Sequence, residues 1–221
     1  MRSPSLPELR KRFTPDTNYR IDRCEIVISL YDDHRRAKYS CHYVITVTGD
    51  APETEWEIVI PSLPPTVQFD GAVDAEGGLQ HTFIPQGNAT RIPIRYRREL
   101  VCGSSPYQFS YSYETSLTTI IAPTTRGRIV NFTDWFMPDV ACDLMKVSIH
   151  LPRRCRAIQS FPAANLESNV ISVQYENMRP LEVFAFTLAY HHLKLGTEVW
   201  LWSASVVAST ILGWMLGKAL G

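Results

Sequence analysis

Residues 107–114 read Tyr107-Gln108-Phe109-Ser110-Tyr111-Ser112-Tyr113-Glu114, four aromatic side chains alternating with four polar ones. Neighbouring side chains on an extended backbone point to opposite faces, so this period of two gives one apolar and one wetted face and identifies a strand. The pattern recurs on both sides of it. Toward the N-terminus it appears in Cys24-Ile26-Ile28-Leu30, in Tyr39-Cys41-Tyr43-Ile45-Val47 and in Trp56-Ile58-Ile60, the last alternating with Glu53, Glu55 and Glu57. Ile92, Ile94 and Tyr96 alternate with Arg91, Arg95 and Arg97; Met145-Val147-Ile149-Leu151, Ile171-Val173-Tyr175 and Phe184-Phe186-Leu188-Tyr190 complete the series.

Between these runs stand turn-forming clusters: residues 61–65 (Pro-Ser-Leu-Pro-Pro), Glu76-Gly77-Gly78, residues 85–88 (Pro-Gln-Gly-Asn) and residues 102–106 (Cys-Gly-Ser-Ser-Pro). No helical period of ten or more residues interrupts 22–190, although 134–144 has room for a turn or short helix. The expected fold is mainly β, an antiparallel β-sandwich, immunoglobulin-like or similar, over residues 22–190. Residues 1–21 form an N-terminal segment in which Ser5 and Glu8 have capping-box spacing, suggesting a short helix over 5–13.

The 221-residue chain is 45% hydrophobic, enough for a sizeable core, and its 22 Lys plus Arg balance 22 Asp plus Glu. A neutral chain has no overall field for nucleic acid, so any electrostatic recognition is local and no nucleic-acid partner is expected. The N-terminus lacks the apolar run of a signal peptide. Five cysteines, at 24, 41, 102, 142 and 155, are odd in number and without CxxC spacing, which fits reduced thiols in a cytosolic domain. Two glycosylation sequons, Asn88-Ala89-Thr90 and Asn131-Phe132-Thr133, give the competing luminal reading.

After a linker over 191–198 the chain is uncharged from Val199 to Gly217, before a tail over 218–221. As a helix, 199–217 measures about 28 Å, close to the thickness of a bilayer's hydrocarbon core. Trp200 and Trp202 stand at one end and Trp214 near the other, as interfacial anchors do. The segment reads as a single transmembrane helix, giving a tail-anchored membrane protein with its N-terminal domain in the cytosol. Ser205, Ser209, Gly213 and Gly217, four apart, form a face of small residues that lets two helices approach closely, so a homo-oligomer through this helix is expected.

No GxSxG, HExxH, P-loop or GxGxxG occurs, and no catalytic residue, metal site or cofactor is assigned. Cys41-His42 and His191-His192 are adjacent on strands and diverge to opposite faces. The loop at Cys102 lacks an identifiable base. Arg91, Arg95, Arg97 and Arg98 form a guanidinium row suited to an anionic ligand; the competing reading pairs them with Glu53, Glu55 and Glu57 on a neighbouring strand. Arg153, Arg154 and Arg156 form a second basic cluster, suited to membrane lipid if it faces a bilayer. The functional expectation is a sensor whose β domain binds a protein or small anionic ligand while its helix self-associates, as a membrane-disrupting effector in bacterial antiviral defence would. A tethered adaptor is the alternative, and a membrane-anchored enzyme a third.

Overall fold

The computed structural model of the chain describes residues 18–50, 52–60, 67–87, 89–125, 127–167 and 169–193. The expected short helix over 5–13, the spanning segment with Trp200, Trp202, Trp214, Ser205, Ser209, Gly213 and Gly217, and the tail over 218–221 lie outside the described residues. The described part is mainly β, with no helix long and apolar enough to cross a membrane.

The chain runs through β1 (Tyr19–Leu30), β2 (Arg36–Val47), β3 (Glu53–Ile60), β4 (Gln68–Asp74), β5 (Gly77–Gly78), β6 (Gln80–His81), β7 (Ile84–Gln86) and β8 (Ala89–Leu100). It continues through β9 (Tyr107–Ser116), β10 (Thr119–Thr124), β11 (Gly127–Phe136), β12 (Cys142–His150), β13 (Cys155–Phe161), β14 (Asn165–Glu167), β15 (Val170–Met178) and β16 (Phe184–Leu193). Eight of these form one large sheet in the order β14-β15-β12-β1-β2-β9-β4-β5. A second sheet has the order β10-β11-β16-β13, and a third is built on β8, which pairs β3, β6 and β7.

The alternation explains the layering. Tyr39, Cys41, Tyr43 and Ile45 of β2 lie opposite Tyr113, Tyr111, Phe109 and Tyr107 of β9 on one side and Ile28, Ile26, Cys24 and Ile21 of β1 on the other. Partners in register share a face, so these side chains form one apolar surface, while Ser40, His42 and Thr46 turn away with Ser110 and Ser112. Both smaller sheets pack on that surface. Trp56 of β3 rests within 5.0–5.4 Å, ring centre to ring centre, of Tyr19, Tyr43 and Phe109. Phe184 of β16 lies 3.9 Å from Tyr175 of β15, and the Tyr39 hydroxyl donates to Asp134 of β11 at 2.5 Å. Burial pushes the Asp134 carboxyl up, against the pull of that hydrogen bond and of the Trp135 amide.

The sequence reading differs from this fold at four places. The strands are antiparallel except that β1 and β12 run parallel, Cys24 opposite Met145. A parallel pair needs a long crossover, and here β2 to β11 supply it. Residues 134–144 contain no helix: β11 continues to Phe136 and β12 starts at Cys142. The first strand starts at Tyr19, because a bulge between Ile21 and Arg23 breaks the period of two and returns Ile21 to the core. The last strand continues through His191–Leu193, three residues into the expected linker.

All five cysteines are unpaired: Cys24, Cys41, Cys142 and Cys155 are buried and Cys102 is exposed. Cys102 lies in the turn between β8 and β9, where Gly103 has a φ of 73°.

Candidate functional site

The guanidinium row of β8 is largely neutralised from within. Arg91 makes a bidentate pair with Glu57, one contact at 2.8 Å, and Arg95 reaches Glu55 at 3.0 Å. Arg95 and Glu55 are cross-strand partners; Arg91 reaches Glu57 diagonally. Arg97 donates to the Gly78 carbonyl at 2.7 Å and lies 3.3 Å from Asp74. Arg98 lies over the Tyr107 ring at 5.8 Å. The acidic row of β3 therefore meets Arg91 and Arg95, and three of the four candidate anion-binding arginines already hold an oxygen. The Arg91–Glu57 pair is surface-exposed, so a double-mutant cycle with both alanine variants is expected to give roughly 0.5 kcal/mol of coupling in urea unfolding. Coupling above about 2 kcal/mol would mean that the pair holds the β3–β8 contact together.

Arg97 and Arg98 also line a cleft of about 430 Å³ with Asp74, Glu76, Tyr107 and Gln108. Burial alone would raise the Asp74 carboxyl. Hydrogen bonds from the Tyr107 hydroxyl at 2.6 Å and the Glu76 amide at 2.9 Å, with the Arg97 charge, hold it instead below the usual carboxylate range. The Asp74 carboxylate is thus ionised and already occupied by donors.

The basic cluster at Arg153, Arg154 and Arg156 is exposed, in the turn before β13 and on its first residues. Cys155 and Arg156 pair with His192 and His191, so the cluster sits beside the C-terminal end of β16. Arg128 of β11 flanks His192 on the other side. Among the described residues none of these four arginines forms an ion pair. The outward face of the same sheet carries Ile120, Trp135 and Phe161, which are 70%, 41% and 74% exposed.

One grouping has no signature in the sequence. The turn between β1 and β2 is built by Asp33, whose Oδ1 accepts from the amides of Arg35 and Arg36 at 2.9 and 3.1 Å. This places His34 in the left-handed region, with a φ of 59°, and turns its imidazole inward to 1% exposure. There His34 Nδ1 lies 3.1 Å from the Tyr190 hydroxyl and Nε2 lies 2.7 Å from His192 Nδ1. Cys155 completes the group: its Sγ and one ring nitrogen from each histidine all lie within 4.8 Å of one another. Burial, then the neighbouring His192 and Arg128, push His34 below the usual imidazole range, and burial with the Asp32 charge pushes the Cys155 thiol up to about 11. The adjacent pair read from sequence does not act together: His191 turns away toward Thr124, at 3.3 Å.

No family model matches this chain. No curated protein matches it either. Solved structures match in fold. Native leukotriene A4 hydrolase from Saccharomyces cerevisiae aligns with a TM-score of 0.54 and 7% identity, over 82% of this chain and 32% of that one. The yeast enzyme in complex with bestatin gives 0.53 and 8%, over 85% of this chain and 33% of that one. The chain therefore spans about a third of the length of these hydrolases, and at such identity the likeness is one of fold alone.

Proposed function

We propose that this chain is a membrane-anchored binding protein without catalytic activity. Its sandwich-type β domain lies on the cytosolic side and is carried by a spanning helix over 199–217, which pairs with a second copy through Ser205, Ser209, Gly213 and Gly217. The observation that carries this reading is the way the chain leaves the domain. β16 ends at Leu193, and the uncharged stretch begins at Val199. Five intervening residues span at most about 18 Å, so the exit of β16 is held close to the bilayer surface. Around that exit stand Arg128, Arg153, Arg154 and Arg156, which form no ion pair among the described residues. Unpaired cations beside a bilayer favour anionic lipid, on the order of 1 kcal/mol each.

The cytosolic side is supported by the four buried thiols, which remain unpaired. The non-catalytic reading is supported by the cleft at Asp74, whose carboxylate is engaged by Tyr107 and Arg97. The exposed Ile120, Trp135 and Phe161 give a protein partner an apolar face on the sheet nearest the anchor.

Alkaline carbonate extraction of membranes from expressing cells, followed by crosslinking, tests the reading. The chain is expected to stay in the membrane pellet and to crosslink as an oligomer, and the Gly213→Leu/Gly217→Leu variant to stay in the pellet but lose the crosslink. Release of the wild-type chain by carbonate would refute the anchor. A crosslink that survives in the variant would refute the helix pairing.

A further inference from the structure

We propose that His34, Cys155 and His192 form a binding site for one zinc-class divalent cation, which ties the β1–β2 turn to the end of β16. The inference is independent of the membrane reading. Its first ground is geometric: two imidazole nitrogens and a thiol sulfur, from three separate stretches of chain, converge within 4.8 Å. Nitrogen and thiolate sulfur together are the donor set of tetrahedral zinc, with three protein ligands leaving one position for water.

The second ground is the surroundings of His34. A metal-binding histidine commonly uses its other ring nitrogen to hold a fixed partner, which sets the tautomer and the ring angle. Here Nδ1 is engaged with the Tyr190 hydroxyl at 3.1 Å, on a side chain with no exposure, leaving Nε2 directed at His192. With Tyr190 accepting from Nδ1–H, the 2.7 Å contact has His192 Nδ1 donating to His34 Nε2.

A hydrogen bond between two histidines satisfies His34 by itself. It does not explain why the third member is a cysteine, nor why the turn adopts a left-handed residue to bring His34 inward. Metal entry needs a small rearrangement. Two nitrogens at zinc distance in a tetrahedron stand roughly 3.3 Å apart, so the rings must part by roughly 0.6 Å. A nitrogen and a sulfur stand roughly 3.6 Å apart, so the Cys155 Sγ, within 4.8 Å of them here, must draw in by up to roughly 1.2 Å. The His192 proton moves from Nδ1 to Nε2 and the Cys155 thiol releases its proton to solvent. One proton is lost per cation bound, and no electron is transferred.

The test uses the full chain in detergent micelles with any affinity tag removed. Co2+ serves as the spectroscopic probe and Zn2+ as its competitor. The expected result is one Co2+ per chain with a thiolate-to-cobalt charge-transfer band, displaced by equimolar Zn2+. Cys155→Ser is expected to abolish the band, and Cys102→Ser to leave it intact. His192→Gln, at a half-exposed position, should weaken Zn2+ binding by about 100-fold or more, and Tyr190→Phe by about 10-fold. Should Cys155→Ser not fold, judged by far-UV circular dichroism, the His192→Gln affinity decides. The proposal is overturned if the wild-type chain binds no stoichiometric cobalt, if the bound cobalt shows no thiolate band, or if His192→Gln binds Zn2+ as tightly as wild type.

Discussion

Phe109→Ala is expected to lower the stability of the β domain by about 4 kcal/mol, as a shift of the whole denaturation curve in guanidinium followed by far-UV circular dichroism. The ring is 1% exposed and lies where two sheets meet. Its centre is 5.4 Å from Trp56 and 5.8 Å from Tyr96 in the sheet built on β8, and 5.4 Å from Tyr43 in the large sheet. Truncation removes the transfer energy of a large ring and leaves a cavity that fixed strands on both sides cannot collapse into. Phe109→Leu keeps much of the volume and is expected to cost less than half as much. A loss below about 1 kcal/mol for the alanine variant would mean that the sheets do not meet at this ring.

The second large effect is expected at Gly127→Ala, about 3 kcal/mol in the same assay. Gly127 opens β11 with a φ of 152°, in a region that side chains seldom adopt. A Cβ there would stand 2.1 Å from the backbone carbonyl oxygen of His192 and 3.2 Å from His191 Nε2. Backbone cannot swing aside as a side chain does, so the β11–β16 ladder must open at its end. Gly71→Ala is the control: its φ is 126°, with nothing within 4 Å of the added carbon, so it carries backbone strain without collision. Its expected cost is about 1 kcal/mol. Equal losses in the two variants would show that strain alone governs Gly127.

The β content was legible in the sequence because each strand buries one face, and burial of one face imposes the period of two. Tyr107, Phe109 and Tyr111 lie on the inner face, as their alternation requires. The pairing of β8 arginines with β3 glutamates was also legible as the competing reading, since both rows show on adjacent runs. The parallel contact of β1 with β12 was not: alternation states that a strand has two faces, and says nothing about which strand lies beside it. Nor was the grouping at His34. Its members stand at 34, 155 and 192, with no shared local spacing, and the Asp32-Asp33-His34-Arg35-Arg36 stretch reads as an ordinary polar turn. The one local hint is that Asp33 can build a tight turn by accepting backbone amides, which leaves the next residue in an unusual conformation. That hint points to the backbone and not to chemistry.

The position of β1, between β2 and β12 in the middle of the large sheet, bears on how the chain acquires its structure during synthesis. β2 is made immediately and can form a hairpin with β1, but the other edge of β1 has no partner until β12 emerges, more than a hundred residues later. Through that interval Cys24, Ile26 and Ile28 lie on a strand with open amides and carbonyls, a template for pairing with other chains. Closing the sheet then requires a contact of high sequence separation, which slows the final step relative to the early hairpins. Fragments that stop short of residue 142 should accordingly be the aggregation-prone ones, and assistance from a chaperone should matter most while the middle of this sheet remains incomplete.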